Sequence, residues 1–127
     1  AGVNAKSLLI ATFLTEAPTG LALGVAPAIP ASLLLGVSLG APATVIARIA
    51  GAALVALSLA CWGARDAPSS PATRGLLAGV LVYDVAAAAV LAHAGFGLHL
   101  SGPVLWPAVL LHVAMALWCG ACLRSSR

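Results

Sequence analysis

Apolar residues run through this chain in long blocks rather than in alternation with polar ones. A helix crossing about 30 Å of hydrocarbon needs about 20 mostly apolar residues. Four such blocks fit, at about 7–25, 43–62, 74–96 and 104–123. Breakers mark their ends. The first block stops at Ala26-Pro27-Ala28-Ile29-Pro30, and the second gives way to 63–73 (GARDAPSSPAT), the one clearly hydrophilic stretch. The third and fourth are separated by 95–103 (GFGLHLSGP). Residues 31–37 (ASLLLGV) are too few to span and predict a helical turn or two at the membrane interface. The pattern therefore predicts an all-α fold with a single transmembrane domain over 1–127. It is an integral membrane four-helix bundle with a short interfacial segment between helices 1 and 2.

Composition narrows the class further. The chain is 62% hydrophobic and 7% charged, with a mean hydropathy of +1.12. Soluble domains carry about a quarter charged residues, so nine charges cannot coat a water-soluble monomer of this size. The apolar content equally excludes disorder. A soluble enzyme, a nucleic-acid binder and a secreted disulfide scaffold are excluded with them. The net charge of +3 forms no patch, because the six basic residues are scattered.

Those basic residues set the expected orientation. With four spans, both termini and the middle loop share one side, and Lys6, Arg65, Arg74, Arg124 and Arg127 all fall there. The other two loops hold no Lys or Arg. The positive-inside rule then predicts both termini in the cytoplasm. A cleaved signal peptide competes for the N-terminal stretch, but Glu16 interrupts its apolar run and Lys6 alone supplies a basic region.

Abundant alanine and 13 glycines suit close backbone approach, which drives helix association where lipid supplies no hydrophobic force. Gly20 and Gly24 form a GxxxG in the first span, and Gly75 and Gly79 form another in the third. Tight contact within the chain is the first expectation for these pairs. A homo-oligomer or partner membrane subunit is the second.

Ionisable residues inside a bilayer cost at least about 2.5–3.5 kcal/mol each, so they face the interior and mark function. Glu16, Arg48, Asp84 and His112 place one such residue in each span. Thr12, Thr15, Glu16 and Thr19 fall on one stripe of the first helix, with Tyr83 beside Asp84 on the third; Thr12, Thr19 and Tyr83 are candidate lining residues. Pro18 removes a backbone hydrogen bond close to Glu16, as in the interrupted helices that line membrane binding sites. Arg48 is expected to reach inward and pair with Glu16 or Asp84, the alternative being a side chain that snorkels outward. Glu16, Asp84 and His112 together suit binding of a cation or relay of protons. A purely structural role, in which they neutralise one another and fix helix register, fits the same residues.

Trp118-Cys119-Gly120-Ala121-Cys122 has the form of a thiol redox box, yet it closes a helix instead of opening one, where the dipole has the wrong sign to activate a thiol. Small buried cysteines are the expectation. Cys61, Cys119 and Cys122 stay as weak candidates for a soft metal.

Four stretches carry a family resemblance: TEAPTGLAL at 15–23, LLLG at 33–36, ARIAGAALVALSLACWGARD at 47–66 and GPVLWPAVLLH at 102–112. Together they resemble a widespread group of small bacterial four-span membrane proteins, loosely similar to DoxX-like proteins. The resemblance implies the same four-span fold, a place in a bacterial inner membrane, and no particular activity. It also implies Tyr-Asn in place of Tyr83-Asp84, making the acid at Asp84 a departure.

The leading reading is a small membrane protein that binds or translocates a small ligand, ion or proton at Glu16, Arg48, Asp84 and His112. A binding or transport role is favoured over an enzyme, and the sequence names no cofactor. An accessory or structural subunit of a larger membrane complex is the alternative, and a membrane thiol oxidoreductase ranks third.

Overall fold

The computed structural model describes residues 4–125, so Arg127 of the basic set lies outside the described residues. Regular structure among these residues is helical: α1 (Ala5–Val25), α2 (Ala28–Leu35), α3 (Ala41–Ala64), α4 (Pro71–Phe96) and α5 (Leu105–Ser125). Helices α1, α3, α4 and α5 are each long and apolar enough to cross a membrane. The fold is an all-α bundle of four membrane-spanning helices.

Local chemistry explains the helix ends. The Asn4 side chain accepts a hydrogen bond from Ser7 N at 3.1 Å and opens α1. Ser70 does the same for Thr73 N at 3.1 Å, with Pro71 at the first position of α4. The short helix α2 starts earlier than expected, directly after Pro27. Pro27 already has helical backbone angles, and Pro30 falls in the first turn, where no N–H is required. Gly36 ends α2 in the left-handed region at φ 67°, and a Cβ there would meet Ser101 O at 2.9 Å. Gly102 N and Val104 N donate to Leu34 O (2.9 Å) and Leu33 O (3.0 Å), which ties α2 to the α4–α5 turn.

The four spans associate as two helix pairs. Helix α1 packs along α3, and α4 along α5; the pairs meet mainly through α1 and α5, and more narrowly through α3 and α4. The α1–α3 contact is nearly backbone on backbone. A Cβ on Gly51 would lie 2.6 Å from Gly20 O and from Gly24 N. The first GxxxG therefore works within the chain. Gly75 and Gly79 instead face outward with nothing near them.

The ends of the bundle differ in charge. Lys6 Nζ donates to Asp66 Oδ1 at 2.7 Å, which sets the start of α1 beside the α3–α4 linker. Arg65 lies 3.4 Å from the same carboxylate, and Arg74 and Arg124 line one cleft beside Pro71. The opposite end carries α2 and the α4–α5 turn. Polarity across the bundle runs inside out: Thr12, Glu16, Ser58, Asp84 and His112 are buried, while Leu14, Ile46, Val90 and Leu117 face outward. That distribution suits lipid and would be ruinous in water.

Candidate functional site

An apolar core fills the half of the bundle nearer the basic end, built from Leu8, Leu9, Cys61, Leu77, Val80 and Met115 with Cys119 and Cys122. One turn further on, the same buried stripes turn polar. On α1 the stripe runs Leu8, Thr12, Glu16, Gly20; on α4, Leu77, Val80, Asp84; on α5, Cys119, Met115, His112, Val109. Helical spacing thus delivers an acid, an acid and an imidazole to one level, about 16 Å along α1 from its start at 1.5 Å per residue.

These three groups converge. One donor atom from each of Glu16, Asp84 and His112 lies within 4.8 Å of the others. Glu16 is 5% exposed, Asp84 2% and His112 9%. His112 Nδ1 and Asp84 Oδ1 are 2.9 Å apart, a hydrogen bond between α5 and α4. Tyr83 donates its hydroxyl to Glu16 Oε2 at 3.0 Å, which links α4 to α1. Its ring also meets the His112 ring edge-on, with centroids 5.5 Å apart. Asp84 Oδ2 is buried and has no hydrogen-bond partner. An unsatisfied carboxylate oxygen is costly in a low-dielectric interior, and a proton, a hydrogen-bond donor or a cation at this atom would relieve that cost.

The other expected site residues fall elsewhere. Arg48 is exposed on α3 and forms no ion pair with Glu16 or Asp84 among the described residues. The reason is register: α1 and α3 run antiparallel with Gly20 beside Gly51 and Val55, so Arg48 lies level with the end of α1, about 15 Å along the axis from the level of Glu16 at 1.5 Å per residue. Arg48 is the outward-reaching cation of the two expectations. Thr12, Thr15 and Thr19 do share the Glu16 side of α1, but their hydroxyls turn back onto their own helix. Thr12 donates to Leu8 O at 3.0 Å, Thr15 to Ala11 O at 3.0 Å and Thr19 to Thr15 O at 2.8 Å. They soften α1 more than they line a ligand. Tyr83, expected only as lining, is instead the link that holds Glu16.

The thiols are free and buried. Cys119 Sγ donates to Leu77 O at 2.9 Å. Among the described residues, the three cysteines do not converge as a ligand set, whereas Glu16, Asp84 and His112 do. The soft-metal alternative at Cys61, Cys119 and Cys122 therefore lacks its geometry.

A cleft of about 320 Å³ opens on the α2 side, lined by Pro18, Thr19, Ile29, Leu33 and Val104. It starts less than one turn along α1 from Glu16. Its lining is almost wholly apolar and includes none of Glu16, Tyr83, Asp84 or His112.

Comparison of the chain with family models, with curated proteins and with solved structures finds no match.

Proposed function

We propose that this protein binds a small cation or protons at Glu16, Asp84 and His112, and that this binding is its function. One observation carries the reading: two carboxylates and an imidazole from three helices meet inside the bilayer, and Asp84 Oδ2 among them lacks a partner. Formal charge gives the same answer. With His112 protonated and both acids ionised, the cluster holds one negative charge in excess, which a proton or cation neutralises. A low-dielectric interior demands that closure.

The placement also suggests translocation. Glu16 belongs to one helix pair, while Tyr83, Asp84 and His112 belong to the other. Binding therefore bears on how the two pairs sit together, the geometry used where one bundle rocks against another around a fixed site. On this reading the basic end faces the cytoplasm, and the cleft by Pro18 opens to the far side. A second reading, an accessory subunit or homo-oligomer, draws on the open faces of Gly75 and Gly79, which suit close approach of another helix.

Infrared difference spectra of the protein in vesicles, recorded on stepping from mildly acidic to mildly alkaline buffer, test the main reading. Carboxyl bands are expected to respond and to be lost in steps in Glu16→Gln and Asp84→Asn. Wild-type carboxyl bands that ignore the step would sink it.

A further inference from the structure

We infer that the Glu16–Asp84–His112 cluster is an exchange site in which one divalent first-row transition ion replaces two protons. The inference rests on the cation-site reading above and names its ligand class.

The donor set decides the class. Two carboxylates supply two negative charges, so a divalent ion beside a neutral imidazole brings the site to zero net charge. A monovalent ion would leave one charge uncompensated in the membrane. Calcium and magnesium prefer shells made wholly of oxygen. An imidazole nitrogen beside two carboxylates suits manganese, iron or zinc in the divalent state. The ion's place is also marked. His112 Nδ1 and Asp84 Oδ1 are 2.9 Å apart, close to the separation of about 3 Å between adjacent donors bound at about 2.1 Å to one ion. The two donors thus already stand at a separation that one ion can bridge from beside the line joining them. Asp84 Oδ2, buried without a partner, supplies a second contact from the same carboxylate. Glu16 completes the set by closing about 1.8 Å from the present 4.8 Å limit to a bonding arrangement. Tyr83 holds Glu16 by Oε2, leaving Oε1 for the ion, an outer-shell support of the kind that orients metal-bound carboxylates.

Proton balance follows. The metal-free cluster is neutral when two protons are shared among the two carboxylates and the imidazole. The metal-bound cluster is neutral when both have left, so one ion enters and two protons go. The other titratable groups near the cluster are the Tyr83 hydroxyl on α4, Cys119 on α5 and Cys61 on α3; α2 contributes none. None of these needs to change protonation for the exchange to balance.

The test is calorimetric titration of tag-free protein in detergent with Mn²⁺, an ion that thiolates bind weakly. Runs in two buffers of different ionisation enthalpy count the protons released. Binding with about two protons released per ion is expected. Glu16→Gln and Asp84→Asn should each abolish binding, and Tyr83→Phe should weaken it about 10-fold without changing the count. The wild-type count alone decides if a variant fails to fold. Binding with no proton release, or binding that survives both acid replacements, overturns the inference. Absence of Mn²⁺ binding overturns it too. In that case a retained infrared carboxyl response leaves the proton-site reading standing, and loss of that response removes both.

Discussion

His112 and Asp84 form a buried hydrogen bond of 2.9 Å that joins α5 to α4, while the second oxygen of the same carboxylate goes without a partner. A bond to a charged group contributes about 1.5–3 kcal/mol, whereas neutral bonds between membrane helices average about 0.6 kcal/mol. A double-mutant cycle of Asp84→Asn and His112→Gln, followed by unfolding in detergent, should give a coupling in the higher range. A coupling near the neutral average would mean that the pair is uncharged.

Arg48 and Glu16 should behave as strangers. Arg48 is exposed, and Glu16 is held by Tyr83. The losses from Arg48→Ala and Glu16→Gln are expected to add within about 0.3–0.5 kcal/mol. A larger interaction energy in the same unfolding assay would restore the pairing that the geometry denies.

The glycines divide into two classes. A Cβ at Gly20 or Gly51 would strike backbone, at 2.7 Å and 2.6 Å respectively. Alanine at either should destabilise the bundle by about 1–3 kcal/mol. Gly75→Ala and Gly79→Ala meet nothing within the chain and should fall within about 0.5 kcal/mol of wild type. If Gly79→Ala instead lowers stability in a concentration-dependent way, that face is in use between molecules.

At the basic end, the Lys6 hydrogen bond and the neighbouring Arg65 hold the Asp66 carboxyl below the ordinary aspartate value. A group with a depressed folded value stabilises above its ordinary value and loses that contribution as pH falls through the depressed one. The Lys6–Asp66 contact should therefore persist through neutral pH and fail only in acid. An NMR titration of Asp66 should show its midpoint rise in Lys6→Gln. High salt should have a similar effect on so exposed a pair.

Sidedness can be read with reporters. The gathering of Lys6, Arg65, Arg74 and Arg124 at one end predicts that a fusion at the C-terminus reports cytoplasm and one at Ser101 reports the far side. The reverse pattern would invert the orientation.

The span count and the short helix after the first span were legible in the sequence because apolar block length and proline position are local signals. Glu16, Asp84 and His112 were legible for a similar reason: a charge in an apolar run has few places to go but inward. Arg48 was misjudged because its depth relative to Glu16 depends on the register of α3 against α1, which the Gly20–Gly51 contact sets and no local spacing reveals. Tyr83 was undervalued because its role depends on a partner 67 residues away, which no local spacing reveals. The outward turn of Gly75 and Gly79 is likewise a matter of helix rotation, and the same GxxxG text serves both orientations.

The bond from Tyr83 to Glu16 also has a history within each molecule. Glu16 is made 67 residues before the hydroxyl that will hold it. At about 5–20 residues per second of synthesis, α1 waits several seconds for α4 to emerge, and longer for His112. Through that interval Glu16 lacks the hydroxyl that holds it in the finished bundle. The order of synthesis therefore makes the Tyr83–Glu16 bond a late contact, one that can form only once α4 has joined α1.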